Sequence, residues 1–544
     1  MCSALYCWRL GLVPLEDFDE AYYAEGAREM LARRELGTPY FNGQPFLLKP
    51  VLIYWIIAAA FRLLGPTEFA ARVTSAFLGT AIVLFTYWFT ARTLNRRAGL
   101  LAGLALALCY MWIDTARDAS IDIPLTAVVT PAMMLCYLAT RAEAGRKRWL
   151  YLSAYPLFGV ALLAKGPAPL GVVLCGLLAY LVSARRVGAV LREAQIIPGL
   201  ALLLAVAAPW YAYELVHEPT FFSTFFVGEH FGHIQGQLAR NGPVWQNLFY
   251  VLVYFYPWAV FLPGAFARAF GQRDREHVLR FASWWSIAVI VIFSIPKSKL
   301  AHYLAPAFPP MAMLVGAWLD EWLERKPVGR GWTVFAFAAL GLGAALCGVA
   351  ALYAAAPPLW LQEQIAEKFG AWWPGGSPAV ILGALGAGAL VAVVAARFRR
   401  GAVIPALSGA MLVAGFGLVG WLNPRKAEIQ AQPRKELAQF AAAHTAPSVP
   451  VGVYYAKRNS TIFYLGRPIV DLGERREEFP GLLRFLSSPT PAVAITHARF
   501  VPEIERALRD NRDAAGEPSP KTCYVWERRG DYVIVGNGPP PKGG

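Results

Sequence analysis

A short acidic segment near the start of the chain carries residue types suited to acid–base or charge-stabilising chemistry. Residues 16–31 read EDFDEAYYAEGAREML, with Asp19 and Glu20 side by side. Such carboxylates can position an acceptor, take its proton or stabilise positive charge that develops on a sugar. The helical spacing of residues 21–34 predicts that the pair begins a surface helix, where capping favoured by the helix dipole is the simpler alternative.

Lysines stand where several apolar stretches end, at the depth of lipid headgroups. They are Lys49 in LLKPV, Lys165 in AKGPAP, and Lys297 and Lys299 in KSKLAHY, and Asp122 lies at a similar junction in RDASIDIPL. Cations in such places can hold a lipid phosphate by charge-assisted hydrogen bonds. One lysine alone more often extends its ammonium to the membrane surface without further function. Several ionisable groups on one face of a bilayer, together with the acidic segment, indicate chemistry on a phosphate-linked lipid.

The composition shows what kind of protein positions these residues. Of the 544 residues, 56% are hydrophobic and 16% charged, and the mean hydropathy is +0.41, which excludes an ordinary water-soluble chain. The formal net charge is +15, but the bases cluster in short loops between apolar stretches, a pattern typical of membrane topology and not of nucleic-acid binding. Most of the seven cysteines lie in or beside apolar segments, so no disulfide framework is predicted.

Segment length and apolarity predict about thirteen membrane spans. In chain order they are 1–15, 69–90, 98–113, 121–140, 149–164, 167–183, 195–214, 245–267, 278–295, 300–319, 332–356, 379–396 and 402–422. The first of these is short for a span, and we expect the true start of the chain to lie upstream of it.

Segment 46–64 is apolar but is predicted to lie in the outer interface without crossing the membrane. Lys49 and Pro50 stand at one end of it and Arg62 at the other. The basic loops alternate with the spans only if this segment does not cross, because cytoplasmic loops collect lysine and arginine. The N-terminus is then inside, and the C-terminus outside.

The predicted fold class is a polytopic α-helical membrane protein with a C-terminal soluble α/β domain. Residues 1–422 form the membrane domain, with outer loops 16–68 and 214–244, and residues 423–544 form the outer, periplasmic domain. Alternating and helical periodicities define the elements of that domain. Its strands are predicted over 449–455, 491–497 and 521–536, and its helices over 477–487 and 500–510.

Taken together, these segments resemble the GT-C superfamily of membrane glycosyltransferases, in its protein O-mannosyltransferase-like branch. The acidic segment 16–31 is similar to the family's first loop, typically written D-E-x-x-Y-A-x-x-A-R-E-M. The other matching segments, in the family's order and spacing, are KPVLIYW (49–55), RRAG (96–99), AKGP (164–167), APWY (208–211), EH (229–230) and KSKLAHYLAPAFPP (297–310). The resemblance covers most of the membrane part.

The resemblance implies a donor and an acceptor. Within this branch the chain is similar to enzymes that transfer 4-amino-4-deoxy-L-arabinose from undecaprenyl phosphate to lipid A phosphates at the periplasmic face of the bacterial inner membrane. That modification gives resistance to polymyxin-type cationic peptides. The implied partners are the undecaprenyl-phosphate-linked sugar, lipid A or a lipopolysaccharide precursor, and membrane lipid. The protein is expected to be a monomer. It is expected to bind no nucleic acid and to need no cofactor beyond the lipid-linked donor.

The resemblance also assigns roles to residues. Asp19 matches the family's catalytic carboxylate, Glu20 its neighbour in the motif, and Asp122 a carboxylate at the next outer junction. Lys49 matches a lysine that contacts the polyprenyl phosphate, and Tyr303 a tyrosine near the same headgroup. Whether Asp19 orients the acceptor, takes its proton or acts on the charged sugar stays open at this point.

Three further residues are substrate-binding candidates, and two are metal candidates. The former are Tyr22, Lys165 and Arg240, the last in a loop that aligns loosely. Glu229 and His230 offer a carboxylate and an imidazole, but their spacing fits no strong zinc signature. A divalent metal at this pair is expected to be structural or incidental and not catalytic.

Three alternatives stay open. The chain could transfer another sugar, such as mannose to protein serine or threonine, with a similar outer-face motif. It could be a lipid-sugar flippase without chemistry, although such transporters often contain internal repeats, and none is visible here. It could also be a sensor whose C-terminal domain binds a ligand.

Overall fold

The computed structural model describes residues 2–229, 242–271, 277–356, 377–509 and 522–540, and most of them are helical. The helices as far as residue 430 are α1 (Cys2–Cys7), α2 (Asp19–Arg33), α3 (Leu52–Leu64), α4 (Glu68–Thr93), α5 (Arg96–Ala107), α6 (Tyr110–Thr115), α7 (Asp122–Arg141), α8 (Ala144–Lys165), α9 (Pro167–Ser183), α10 (Val187–Glu193), α11 (Ile196–His217), α12 (Gln246–Tyr254), α13 (Leu262–Phe270), α14 (Val278–Ser294), α15 (Phe308–Leu323), α16 (Arg330–Ala355), α17 (Ser377–Phe398), α18 (Val403–Gly417) and α19 (Asn423–Gln430). Tighter or wider helical turns lie at Phe222–Glu229, Trp258–Phe261, Ala301–Ala307, Arg400–Ala402 and Leu418–Leu422.

The helices agree with a polytopic membrane protein, but the predicted count of thirteen spans is not confirmed. Among the described residues, six helices are long and apolar enough to cross a membrane, or eight if two bent helix pairs each count as one span. Predicted span 1–15 contains a helix of only six residues, and 98–113 is divided between α5 and α6. Span 300–319 begins with a tight helical turn that contains Pro306. Proline lacks the backbone N–H that a regular α-helix needs, so the α-helix begins only after this turn.

Segment 46–64 contains a helix of 13 residues, α3. It begins just after Pro50 and ends at Gly65, whose φ of +78° is in the region that favours glycine. At about 1.5 Å per residue such a helix is shorter than a bilayer core. Its place in the interface stays a prediction.

Ion pairs group two of the basic loops at one end of the helix bundle. Arg97 pairs with Asp320, and Arg268 pairs with the adjacent Glu321 at 2.8 Å. We call the opposite end the loop face, where α2, the start of α7 and the end of α8 meet. This grouping agrees with the predicted alternation of loops.

A five-stranded sheet follows the last long helices. A short ribbon in the first loop consists of β1 (Tyr40–Phe41) and β2 (Gln44–Pro45). The strands of the five-stranded sheet are β3 (Val451–Val453), β4 (Val470–Asp471), β5 (Val493–His497), β6 (Tyr524–Arg529) and β7 (Tyr532–Gly536). The order is β4-β3-β5-β7-β6, with β3 parallel to β4 and β5 and the other pairs antiparallel. Helices cover both faces of the sheet, so the α/β class predicted for this part is confirmed. They are α20 (Gln432–His444), α21 (Arg458–Leu465), α22 (Phe479–Leu486) and α23 (Val501–Arg509).

Polar contacts join this C-terminal sheet unit to the loop face. The Lys435 ammonium lies 2.5 Å from the Glu68 carboxylate at the start of α4, and the Tyr464 hydroxyl donates to the same carboxylate at 3.0 Å. In the first loop, the Asp17 carboxylate accepts hydrogen bonds from the backbone N–H and the hydroxyl of Ser460. The domain boundary predicted after residue 422 falls within a continuous helical stretch and stays a prediction.

Candidate active site

Asp19 begins α2 with a carboxylate that is available for a ligand. The helix start has no side-chain cap, but Asp19 and Glu20 both lie in its first turn, so only the dipole part of the simpler alternative applies to Asp19. The residue is half-buried, and within the described part of the chain its carboxylate forms no hydrogen bond or ion pair. Its charge acts on the Tyr23 and Tyr54 hydroxyls and on the Lys49 ammonium, which places the carboxylate beside these groups.

Asp122 and Lys165 meet at the loop face because they occupy matching ends of two neighbouring helices. Asp122 is the first residue of α7 and Lys165 the last of α8. The helix ends there because Gly166 has a φ of +81°, and Pro167 then begins α9, as proline commonly does. The AKGP motif is therefore a helix stop and start that holds a lysine at the junction.

The Asp122–Lys165 pair is the most enclosed part of the site. Lys165 Nζ lies 2.6 Å from Asp122 Oδ1 and 4.2 Å from the centre of the Tyr303 ring. His302 Nε2 is 3.9 Å from Asp122 Oδ2, and Asp122 is only 1% exposed. Charge-assisted hydrogen bonds of this length are among the stronger ones in proteins. The pair holds Lys165 in place against the aromatic ring.

Lys49 completes the group in the segment before α3. Burial is the main reason that the pKa of Lys49 falls to about 8, and the nearby Lys165 ammonium lowers it further, whereas Asp19 and Asp122 act in the opposite direction. We call Asp19, Lys49, Asp122, Lys165 and Tyr303 the carboxylate–lysine cluster. All five were predicted as site residues, and the structure brings them together from five separate segments.

Tyr22 lies beside this cluster and not within it. Its ring stacks on Phe46 with centroids 4.9 Å apart and contacts Phe41 at 4.5 Å, both in the turn that carries the small ribbon. Its hydroxyl is close enough to Tyr54 to affect that residue's ionisation. Tyr22 therefore lines the approach to Asp19, and its predicted substrate contact stays a prediction.

Glu20 is directed away from the cluster into a buried ion pair. Its Oε1 and Oε2 accept hydrogen bonds from Arg72 Nε and Nη2 at 2.6 and 2.5 Å, and Glu20 is 3% exposed. Arg72 also donates to the backbone carbonyls of Leu10, Val13 and Pro14. Glu20 thus holds the start of the chain against α4, which is a positioning role.

Asp118 shares this buried site. Burial alone would raise the pKa of Glu20, but the Arg72 guanidinium outweighs burial and lowers it. Burial and the neighbouring Glu20 carboxylate raise the pKa of Asp118 well above its usual range. These two effects favour the neutral form of Asp118, which can donate a hydrogen bond to Glu20. Sequence reasoning missed the role of Arg72, whose only signal is an arginine inside an apolar segment.

Three predicted residues cannot be placed. Arg240 and His230 lie outside the described residues, as does the side chain of Glu229. In the part of the chain that the structure describes, no group of three or more histidine, cysteine, aspartate or glutamate residues is arranged to hold a metal ion.

Two isosteric substitutions at the buried pair should change the stability of the protein to different extents. Glu20→Gln leaves the Arg72 charge without a carboxylate, and breaking such a pair costs about 3–5 kcal/mol. Asp118→Asn keeps a neutral hydrogen-bond donor toward Glu20 and should leave stability nearly unchanged. Thermal unfolding of the purified proteins in detergent tests both. Equal unfolding temperatures for Glu20→Gln and the unmodified protein would show that the pair does not stabilise the loop.

Residues 48–213 match the family model described as dolichyl-phosphate-mannose-protein mannosyltransferase. The undecaprenyl phosphate-alpha-4-amino-4-deoxy-L-arabinose arabinosyl transferase of Erwinia tasmaniensis is 30% identical over 316 residues, 56% of this chain and 56% of that protein. The corresponding protein of Aeromonas salmonicida is 31% identical over 310 residues, with the same coverage. The chain thus spans little more than half the length of these curated relatives. An uncharacterized protein of Aquifex aeolicus is 29% identical over 384 residues, 68% of this chain and 74% of that protein.

Solved structures resemble the whole fold. The crystal structure of ArnT from Cupriavidus metallidurans bound to undecaprenyl phosphate has a TM-score of 0.79 and 24% identity, covering 99% of this chain and 96% of that one. The apo oligosaccharyltransferase of Archaeoglobus fulgidus has a TM-score of 0.52 and 12% identity, covering 92% and 68%. The family model covers three of the five cluster residues, and the fold agrees along nearly the entire length. Residues 48–213 are thus similar to the protein mannosyltransferase family, and the whole chain has the fold of the ArnT crystal structures.

Proposed function

We propose that the protein transfers 4-amino-4-deoxy-L-arabinose from undecaprenyl phosphate to a phosphate of lipid A, at the periplasmic face of the bacterial inner membrane. The observation that carries this proposal is the carboxylate–lysine cluster, in which an available carboxylate lies beside two lysines at one end of a membrane helix bundle. The names of the two arabinosyl transferases support the identity of the sugar and of the lipid carrier.

The lysines favour a lipid phosphate as the leaving group. Lys165 is paired with Asp122 at 2.6 Å, so its charge is largely balanced within the protein. Lys49 is a second ammonium in the same partly enclosed space, where burial and Lys165 both work against its charge. An anionic phosphate would relieve this repulsion, and its negative charge would increase as the sugar departs.

The reaction exchanges one bond at the sugar for another. The bond between C1 and the undecaprenyl phosphate oxygen breaks, and its electron pair leaves with the phosphate beside Lys49. A new bond forms between C1 and an oxygen of the acceptor phosphate, which is already ionised and has no proton to lose. Asp19 then acts by stabilising positive charge on the sugar and by orienting it, since little base catalysis is needed.

A different acceptor is the second candidate, because the matching family model is described by transfer of mannose to protein. A serine or threonine hydroxyl loses its proton as it attacks, so Asp19 would then be the general base. A flippase, in contrast, would need no carboxylate at this position.

Transfer should depend on Asp19. Asp19→Asn keeps the shape of the side chain but removes its charge, and should reduce turnover by about 100-fold or more. Lipid A mass spectrometry checks this in a strain that makes the donor but lacks its own aminoarabinose transferase. The unmodified chain should add aminoarabinose, and Asp19→Asn should not.

Matched variants make this result specific. Glu503→Gln changes a partly exposed carboxylate of the sheet unit and should transfer normally. Normal turnover by Asp19→Asn would remove Asp19 from the mechanism. Unmodified lipid A with the correctly inserted, unmodified chain would reject this acceptor, and labelled donor would then be followed into protein.

Donor use should fall at alkaline pH because Lys49 binds phosphate in its protonated form. Its pKa of about 8 means that this interaction is complete well below pH 8 and is lost as pH rises through that value. The donor is a phosphodiester whose charge does not change in this range. The pH dependence of kcat/KM for the donor measures the effect.

An arginine at this position separates charge from shape. Lys49→Arg should move the decline to higher pH, because a guanidinium keeps its proton. Lys326→Arg, at an exposed lysine of the opposite end of the bundle, should leave the profile unchanged. A profile that is the same in Lys49→Arg and the unmodified protein would show that another group titrates.

A further inference from the structure

A cavity lies next to the carboxylate–lysine cluster. It has a volume of about 730 Å³ and is lined by the first loop, by α6 and by the start of the sheet unit. Phe18 and Glu20, the two neighbours of Asp19, both line it. Successive helical residues point about 100° apart, so the first turn of α2 has this cavity on one side and the cluster on the other. Cavities of roughly 300–1,000 Å³ hold small molecules or headgroups.

Arg434 brings an unbalanced charge to this cavity. It lies in the first turn of α20, is 9% exposed and lines the cavity wall. Its buried Nε has no hydrogen-bond partner, and no ion pair within 4 Å involves its guanidinium in the described ranges. The nearest assistance comes from the Tyr532 ring, 5.6 Å away, and from the longer-range charge of Asp17. A buried guanidinium without an anion is costly, and this one has donors to spare.

Several other charged groups of the wall have partners in the protein, and the wall also carries the carboxylates of Glu16, Asp17, Glu20, Asp114, Asp118 and Asp531. Arg72 is bound by Glu20, and Arg117 donates to the carbonyls of three residues in the first turns of the chain. The Asp17 carboxylate accepts two hydrogen bonds from Ser460. Lys457, also on the wall, has only a distant carboxylate at 3.8 Å. Among the cations of the wall, Arg434 is the one with a buried donor nitrogen that has no hydrogen-bond partner in the described residues.

We propose that this cavity receives the phosphate-bearing headgroup of the acceptor glycolipid, with Arg434 binding the phosphate oxygens. The inference rests on the proposed function and assigns its acceptor side. The donor phosphate lies with Lys49, and the acceptor phosphate enters from the other side of the first turn of α2. The sheet unit thereby supplies part of the acceptor site.

Binding of each lipid to the full chain in nanodiscs tests this assignment without requiring turnover. Arg434→Gln should weaken binding of phosphorylated lipid A by about 10- to 100-fold, the size expected for a charged hydrogen bond. Binding of undecaprenyl phosphate should not change. Arg434→Lys should retain part of the affinity, and lipid A from which the phosphates have been removed should bind equally weakly to all variants.

Arg476→Gln is the matched control, since that arginine is 80% exposed on the same unit. It should bind both lipids as the unmodified protein does. Unchanged lipid A affinity in folded Arg434→Gln would overturn the assignment, as would an equal loss of undecaprenyl phosphate. Inorganic phosphate competing at the same concentration as lipid A would show an anion site that does not recognise the glycolipid.

The two proposals fail in different ways. If phosphorylated lipid A binds through Arg434 but receives no sugar, the cavity assignment holds and the proposed transfer is wrong. If aminoarabinose is transferred and Arg434→Gln has an unchanged KM for lipid A, the transfer holds and the cavity assignment is wrong.

Discussion

The geometry of the loop face depends on the buried ion pair between Glu20 and Arg72. Burying a guanidinium within an apolar helix costs free energy unless its donors are hydrogen-bonded. The Arg72 guanidinium donates to one carboxylate and to three backbone carbonyls. These carbonyls belong to residues 10–14, so the pair fixes the chain immediately before α2. This arrangement positions Asp19, because the ion pair with Arg72 holds the next residue, Glu20, in place.

The adjacent carboxylates of Asp19 and Glu20 therefore lie in different surroundings. Glu20 is enclosed and satisfied, whereas Asp19 is half-exposed and available. In the cluster itself, Asp122 and Lys165 form an ion pair, and Asp19 and Lys49 lie beside it. A sugar with developing positive charge and a departing phosphate need one group of each sign, held on separate elements.

The sequence motifs indicated which residues lie together at the loop face, and the roles of these residues stay predictions. Asp19, Lys49, Asp122, Lys165 and Tyr303 were identified because each stands in a short motif at the end of an apolar segment, and ends of segments meet at one face. The count of thirteen spans is not confirmed, because apolarity does not report where a helix breaks. Cys109 separates α5 from α6 within one apolar stretch, and no strong breaker marks that position.

Contacts across the chain were harder to predict than motifs. Arg72 reads as an arginine within a span, and only the folded structure places Glu20 against it. The helices α20 and α21, which begin at Gln432 and Arg458, were not predicted either, because their short apolar faces lack a clear helical period. Sequence reasoning therefore treated the sheet unit as separate from the catalytic loop.

The structure instead joins the sheet unit to the two segments that carry the partners of the buried pair. Ser460 binds Asp17, two residues before Asp19, and Lys435 binds Glu68, four residues before Arg72. A group held between Arg434 and the first loop would touch the same turn that orients Asp19. The sheet unit therefore holds the first loop through residues next to the cavity wall, since Ser460 and Lys435 both lie in its first two helices.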